Sequence, residues 1–348
     1  FKQMITRKQQ VVDQTFGGVD FLMKKNNIDV LHGHGSFISK TKLAVKKDDG
    51  NTDEVETDKV IIATGSEAAD LPFLQIDGKR FISSTEALEL EAVPKKMVVI
   101  GGGVIGSELS MAYRKMGSEV TIVEMLDSVL PGTDKDLLRP IQKSMRKAGI
   151  TVLTKAKAKG YEKDGDGLVV EVELDNGGTE KLPADQVLVA VGFHPNTEGL
   201  GLDAAGIQLD ERGWVKVDAQ CRTNVPHIHA IGDLTGPPLL AHRASHMGEV
   251  AADIISGEPA AFDVMAMPLG VFTDPEVAQA GLTEAEAKEK GHQVRSGVFP
   301  VAALGRAGAM NQPDGVMKVV IDEKTDVILG VGITAYNACD LIGEACLA

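Results

Sequence analysis

Apolar residues along this chain recur in two rhythms, and the switch between them divides it. Between Lys95 and Val191, short continuous apolar runs suited to buried strands exchange with segments of helical period. The predicted order there is strand, helix, strand, helix (Lys135–Ala148) and strand (Thr151–Leu153). Alternating strands at 168–174 and, beyond an Asn176-Gly177-Gly178 turn, at 187–191 complete the region. Strands exchanging with helices in this way predict an α/β domain with a parallel sheet.

Either side of that region the pattern differs. Residues 1–27 carry Val11, Val12, Phe16, Val19, Phe21, Leu22 and Met23 among lysine, arginine and glutamine, and predict a helix. Short strands at 28–31, 43–45 and 55–62 follow, the last running into Ala63-Thr64-Gly65-Ser66. Pro72, Gly78 and Pro94 mark 67–93 as a connection between domains. Residues 192–225 read as loop and short strand. A strand at 227–231 then leads into Gly232-Asp233, and a helix covers 240–255. Beyond Pro268 come a strand (269–272), a helix (283–290), strands at 294–299, 316–321 and 327–333, and a last helix. That order predicts an α+β module.

The most specific chemistry lies at the first strand-to-helix junction of the α/β region. Met97-Val98-Val99-Ile100 meets Gly101-Gly102-Gly103-Val104-Ile105-Gly106, and the next strand ends in Glu124. Strand, Gly-x-Gly-x-x-Gly, helix, strand and acid together make a dinucleotide-binding unit. Gly101 permits the tight turn, Gly103 lets backbone approach a pyrophosphate, and Gly106 lets helix and strand pack closely. The helix start, from Gly102 through Val104 and Ile105, offers unpaired N–H groups and partial positive charge to the phosphates. Glu124 is expected to accept hydrogen bonds from an adenosine ribose and to repel a 2′-phosphate. Met125 supplies no cation, so NAD is favoured over NADP.

Length and charge narrow the classes further. A chain of 348 residues suits two or three domains, and 43% hydrophobic residues with a mean hydropathy of -0.02 describe a globular protein. No apolar stretch of about 20 residues occurs, so no membrane span is predicted. The net charge of -14 argues against nucleic acid and anionic membranes as main partners. Cys221, Cys339 and Cys346 are too scattered for a disulfide scaffold and show no zinc-like spacing, so no metal site is predicted. The chain begins at Phe1 and stops at Leu347-Ala348 within a helical run, so both ends are expected to be cut.

Ala63-Thr64-Gly65-Ser66-Glu67 precedes the NAD-type unit and Ala230-Ile231-Gly232-Asp233 follows it. With Gly33-His34-Gly35, Ser83-Ser84-Thr85-Glu86-Ala87-Leu88, Leu239-Leu240-Ala241-His242, Phe272-Thr273-Asp274-Pro275-Glu276 and Gly305-Arg306-Ala307, they occur in the order found in the flavoprotein disulfide reductases. The chain resembles that family over essentially its whole length, and within it the branch that oxidises dihydrolipoamide on an acyltransferase or lipoyl protein.

The resemblance implies a two-cofactor reductase fold. A Rossmann-like NAD domain (95–191) is inserted in a partial FAD domain (1–94 and 192–264), and a partial dimerisation domain (265–348) follows. It implies FAD contacts at Gly35, Thr64, Gly65, Ser66 and Asp233, the last toward a ribitol hydroxyl. Leu239, Leu240, Ala241 and His242 would open a helix aimed at the flavin, whose positive end favours the anionic reduced ring. Glu108 resembles the acid beside the nicotinamide, Ala158 would lie near the adenine, and Gly192 would close over NAD. Phe193 and His194 stand where the family more often has arginine.

The family passes electrons from dihydrolipoamide to a redox disulfide, then through FAD to NAD. A histidine held by a glutamate serves as the base, and the family is homodimeric. Neither the cysteine pair nor the histidine–glutamate pair is present in this sequence. The resemblance therefore implies a full-length parent that is an oxidoreductase of bacterial cytoplasm or an organelle matrix, while the chain as written is expected to be inactive on dihydrolipoamide. Two other readings are a related reductase, such as mercuric reductase or soluble transhydrogenase, and a non-catalytic NAD-binding module.

Overall fold

Met97, Val98, Val99 and Ile100 are buried to 5% exposure or less, and they lie in the central strand of a five-stranded parallel sheet. Its order is Phe81–Ile82, Gln186–Val189, Lys96–Ile100, Glu119–Val123 and Thr151–Leu153. Met97 and Val99 pack with Met111, Leu137, Ile141 and Met145 from the helices Val104–Lys115 and Lys135–Ala148. Val98 and Ile100 pack on the other side with Leu168, Val170, Val172 and Leu182 of an antiparallel meander. A strand covered on both faces has no polar side, which is why it reads as one apolar run.

The computed structural model describes residues 1–165 and 167–348, and they divide into two compact units. One unit takes Phe1–Lys2, Ala68–Gly192 and Met265–Ala348; the other takes Gln3–Glu67 and Phe193–Val264. Residues 68–94 thus pack with the parallel sheet, through Ile82 and Ala87.

In the first unit the C-terminal segment builds a five-stranded antiparallel sheet. Its order is Leu269–Val271, Glu276–Gly281, Ile328–Ala335, Val316–Asp322 and Val294–Pro300, and the helix Ala338–Leu347 lies against it. This sheet meets the helix Lys135–Ala148 closely. A Cβ at Gly332 would come 2.4 Å from Leu137 Cδ1, and Thr334 Oγ1 donates to the Leu137 carbonyl at 2.9 Å. Lys318 lies at the same junction with its side chain 5% exposed. Its Nζ is 2.9 Å from both Asp134 and Asp136 and 2.8 Å from Glu284.

The second unit pairs Val60–Ile62 in parallel with Ile228–Ala230 and adds a three-stranded antiparallel sheet, His34–Ser39, Lys42–Lys46 and Thr52–Glu56. Phe37, Ile62, Leu202, Ile228 and Leu234 form its core. The helix Ala241–Ser256 follows the Gly232 turn, and Met247, Val250 and Ala251 bury its inner face.

Several sequence expectations are corrected. Residues 28–31 form no strand: Ile28, Val30 and Leu31 are about half exposed and make no ladder. The single strand expected at 55–62 is two, Thr52–Glu56 and Val60–Ile62, separated where Thr57 Oγ1 turns back to donate to the Lys59 carbonyl at 2.7 Å. The Asn176-Gly177-Gly178 turn leads into Thr179–Ala184, a meander strand, before Gln186–Val189 enters the parallel sheet. Lys157–Asp164 and Glu276–Gly281 are strands that the polar–apolar pattern did not announce, the first because most of its residues face solvent. The N-terminal helix, Lys2–Lys25, buries none of its residues, and most of its apolar positions, among them Val11, Val12, Phe16, Val19, Phe21 and Leu22, are exposed.

Candidate functional site

The glycine turn of the first unit is held by backbone and side-chain contacts at Gly101 and Gly102. Gly101 sits at φ +102°, its N–H donates to the Val123 carbonyl at 2.9 Å, and a Cβ there would lie 2.2 Å from the Ala190 carbonyl oxygen. A Cβ at Gly106 would lie 2.0 Å from the Gly101 carbonyl oxygen, so only glycine lets the helix approach. The Gly102 carbonyl accepts from Leu130 N–H at 2.8 Å and Ser107 Oγ at 3.0 Å.

Gly103 differs from these. Apart from its chain neighbours, no atom of the described residues lies within 4 Å of the place a Cβ would take, and it is the N-cap of Val104–Lys115 with no side-chain cap. Open space beside an uncapped helix start is the geometry a pyrophosphate requires. Val104, at 36% exposure, and Ile105 border that opening, so the residues present fit a dinucleotide.

Glu124 makes two contacts that the sequence did not reveal. Its Oε2 accepts the Gly102 N–H at 2.6 Å and its Oε1 accepts the Leu126 N–H at 2.7 Å, with the residue 7% exposed. The expected ribose acceptor is therefore also a strut beneath the glycine turn.

Glu108 lies one turn into the helix and is half-buried. Its Oε1 accepts the Phe272 N–H at 2.7 Å, which ties the helix to the strand end of the antiparallel sheet. Burial raises its pKa, and the Phe272 hydrogen bond opposes the rise. Gly192, at φ +125° with open space around it, accepts from the Ala69 N–H at 2.9 Å. Ala158 pairs with Val172 in the meander, beside a bulge at Lys159.

In the second unit Asp233 is the second residue of the turn Gly232–Thr235. Ser66 Oγ donates to Asp233 Oδ2 at 2.8 Å, and Oδ1 has no partner among the described residues. A carboxylate with one oxygen anchored and one open fits a sugar-alcohol hydroxyl. Thr64 and Gly65 are laced to Asn196: Thr64 Oγ1 donates to its carbonyl at 2.9 Å, Asn196 Nδ2 donates to the Thr64 carbonyl at 3.0 Å, and Asn196 N–H donates to the Gly65 carbonyl at 3.0 Å. Gly35 and Gly65 face open space, and Gly35 and Thr64 line a cleft of about 490 Å³ with His34, Glu67 and His194. His194 Nε2 stands 3.6 Å from Glu67 Oε1. Leu240 is the N-cap of the helix Ala241–Ser256 and gives it no side-chain cap, while Ala241 and His242 are exposed at its start. These residues fit part of a flavin nucleotide.

No thiol chemistry accompanies them among the described residues. Cys221 is fully buried, and its pKa is pushed up to about 11, by burial first and then by Asp218. Burial and Glu276 push Cys339 up to about 12, and burial raises Cys346. All three are free thiols. A nucleophilic or redox cysteine needs a lowered pKa, so none of these suits that part.

Residues 2–248 match the model of the pyridine nucleotide-disulphide oxidoreductases, and residues 267–348 match the model of their dimerisation domain. Among curated relatives, the chain is 45% identical over 342 residues to a dihydrolipoyl dehydrogenase of Geobacillus stearothermophilus, covering 98% of this chain and 72% of that protein. It is 43% identical over 343 residues to a dihydrolipoyl dehydrogenase of Bacillus subtilis, with the same coverage of 98% and 72%. Among solved structures, LpdA of Mycobacterium tuberculosis superposes with a TM-score of 0.92 at 29% identity, covering 99% of this chain and 76% of that one. The HOCl-induced flavoprotein disulfide reductase RclA of Escherichia coli gives a TM-score of 0.87 at 30% identity, covering 100% and 79%. Matched by both family models over nearly its whole length, the chain belongs to the pyridine nucleotide-disulphide oxidoreductase family.

Proposed function

We propose that this chain carries the NAD-binding apparatus and part of the FAD-binding apparatus of a dihydrolipoyl dehydrogenase. The observation that carries the reading is that one chain holds both an open, uncapped glycine turn at Gly103 and an aspartate, Asp233, that keeps one oxygen free among the described residues. Identity of 43 to 45% with relatives of that name supports the substrate class. FAD and NAD are the cofactors of the family. Bound FAD supplies two-electron transfer between a dithiol and a nicotinamide.

The chain's own residues would bind and orient. Gly101, Gly102, Gly103, Val104, Ile105 and Gly106 receive the pyrophosphate of NAD, Glu124 limits the adenosine to one without a 2′-phosphate, and Ala158 and Gly192 border the nucleotide. Glu108, neutral more readily than a surface glutamate because it is half-buried, lies on the nicotinamide side. Gly35, Thr64, Gly65, Ser66 and Asp233 face the flavin nucleotide, and the helix start from Leu239 and Leu240 to Ala241 and His242 presents positive potential to it.

The overall reaction removes two hydrogens from the thiols of dihydrolipoamide, closes its disulfide, and delivers a hydride to NAD with release of one proton. The sequence holds no cysteine pair of low pKa to accept the electrons, so the 348-residue chain should bind NADH and yet not turn over. A homodimer through the 267–348 module, a lipoyl-bearing partner protein and a bacterial cytoplasmic setting belong to the same reading. The test combines an NADH fluorescence titration with an assay of NADH formation from dihydrolipoamide. Saturable NADH binding without turnover is expected. No NADH binding would refute the nucleotide assignment, and appreciable dithiol-dependent turnover would refute the claim that the chemistry is missing.

A further inference from the structure

Arg243, in the first turn of the helix Ala241–Ser256, folds back onto the loop that precedes its own helix. Its Nη1 donates to the carbonyls of Gly236 at 2.9 Å, Pro238 at 3.4 Å and Gly232 at 3.5 Å, and its Nη2 donates to Thr235 Oγ1 at 3.1 Å. Thr235 Oγ1 in turn donates to the Gly232 carbonyl at 2.8 Å. One guanidinium therefore fixes the backbone on both sides of Asp233.

The loop needs that hold. Gly232 and Gly236 sit at φ +71° and φ +95°, conformations that glycine adopts without steric cost but also leaves readily. Within it the Gly236 N–H bonds the Asp233 carbonyl at 3.0 Å, Ser66 is the only side chain hydrogen-bonded to the Asp233 carboxylate among the described residues, and the Arg243 charge attracts that carboxylate. Arg243 is half-buried, and its charge lies 5.9 Å from the Phe262 ring. A planar fork of five donors can serve several carbonyls at once, whereas a lysine ammonium serves them as a single point.

We infer that Arg243 is the positioning residue of the flavin-facing loop: it holds Gly232 to Pro238 so that Asp233 Oδ1 points away from its Ser66 anchor toward the ribitol. This rests on the reading of Asp233 as a flavin contact. No contact of Arg243 with the cofactor is implied; it acts through backbone carbonyls and the Thr235 hydroxyl.

The test uses R243K, R243M and D233A in the 348-residue chain, first by amide hydrogen exchange without flavin, then by FAD titration followed through quenching of flavin fluorescence. R243M should raise exchange at 232–240 by roughly tenfold, the equivalent of about 1.4 kcal/mol, and leave other segments unchanged. R243K should fall between R243M and the parent chain. FAD affinity should fall in R243M as it does in D233A. Unchanged exchange at 232–240, or a rise spread over the whole second unit, overturns the inference. Weakened FAD binding in D233A alone also overturns it. If FAD binding is indifferent to both substitutions while exchange rises locally, the flavin assignment of Asp233 fails and the hold of Arg243 on the loop stands. Should R243M fail to fold, R243K decides, because exchange identical to that of the parent chain overturns the proposal.

Discussion

Glu124 Oε2 accepts the N–H of Gly102 at 2.6 Å, so the acid at the end of the second strand buttresses the glycine turn at the end of the first. Removing the acceptor leaves a buried N–H unpaired, at a cost of about 1 to 3 kcal/mol. Glu124→Ala should therefore lower thermal stability as well as NADH affinity. Glu124→Gln, which keeps one acceptor oxygen, should lie between it and the parent chain. Calorimetric melting and NADH titration on the same samples check this; an affinity loss with no change in Tm would separate the two roles.

The glycines of the turn should divide sharply on substitution. Gly101→Ala and Gly106→Ala drive a methyl to 2.2 Å and 2.0 Å from carbonyl oxygens, and should unfold the first unit or lower its Tm severely. Gly103→Ala meets nothing within 4 Å and has φ -66°, which alanine adopts freely. It should keep the Tm of the parent chain and lose NADH binding. A G103A chain that binds NADH normally would remove the pyrophosphate from this turn.

Lys318 should dominate the junction between the parallel and antiparallel sheets. Lys318→Met leaves Asp134, Asp136 and Glu284 without their shared cation, and breaking a buried pair in this way costs about 3 to 5 kcal/mol. Burial opposes the charge on Lys318, but hydrogen bonds to Glu284, Asp134 and Asp136 outweigh it and raise the pKa above 10.5. Hydrogen bonds from Lys288, Lys318 and Ser296 lower Glu284 from 4.5 to about 2. A lowered carboxylate contributes stability above its unfolded value and loses it as pH falls toward the folded one, so the Glu284 contribution should fade between pH 4.5 and about pH 2. The raised Lys318 contribution is complete below pH 10.5 and fades above it. Urea unfolding of K318M across that acid range should show less pH dependence than the parent chain.

His229 is 1% exposed, and neither ring nitrogen has a hydrogen-bond partner among the described residues. Burial lowers its pKa from 6.5, with Arg222 and Lys59 adding to the effect. The unfolded chain therefore takes up this proton first, and stability falls as pH drops below 6.5. His229→Phe removes both unpartnered nitrogens and should raise Tm, with a larger gain at pH 5.5 than at pH 7.5. Thermal melts at the two pH values check it; an equal or smaller gain at the lower pH would mean that protonation of His229 is not what weakens the fold.

The geometry of the glycine turn was legible because it depends on local rules. Gly101 and Gly106 are required where chain atoms crowd, and the strand, turn and helix that create the crowding are contiguous in sequence. The shared role of Glu124 was hidden, because an acid at a strand end reads the same whether it faces a ribose or turns under a loop. Residues 28–31 misled for a related reason: apolar side chains announce burial, but only a neighbouring strand supplies it.

Taken alone, the sequence determined the strand–glycine turn–helix–strand unit at 97–124, the expectation of NAD over NADP and the lack of a suitable cysteine pair, since each follows from residue identity at short spacing. The tertiary structure alone decided that Ser66 anchors Asp233, that Phe272 ties down Glu108, that Arg243 braces the Gly232 loop and that Lys318 gathers three carboxylates. Except for the local Arg243 brace, these contacts join residues more than 30 positions apart, and no periodicity encodes such pairs. They form only when sheet registers and helix docking bring the two ends within the reach of a hydrogen bond.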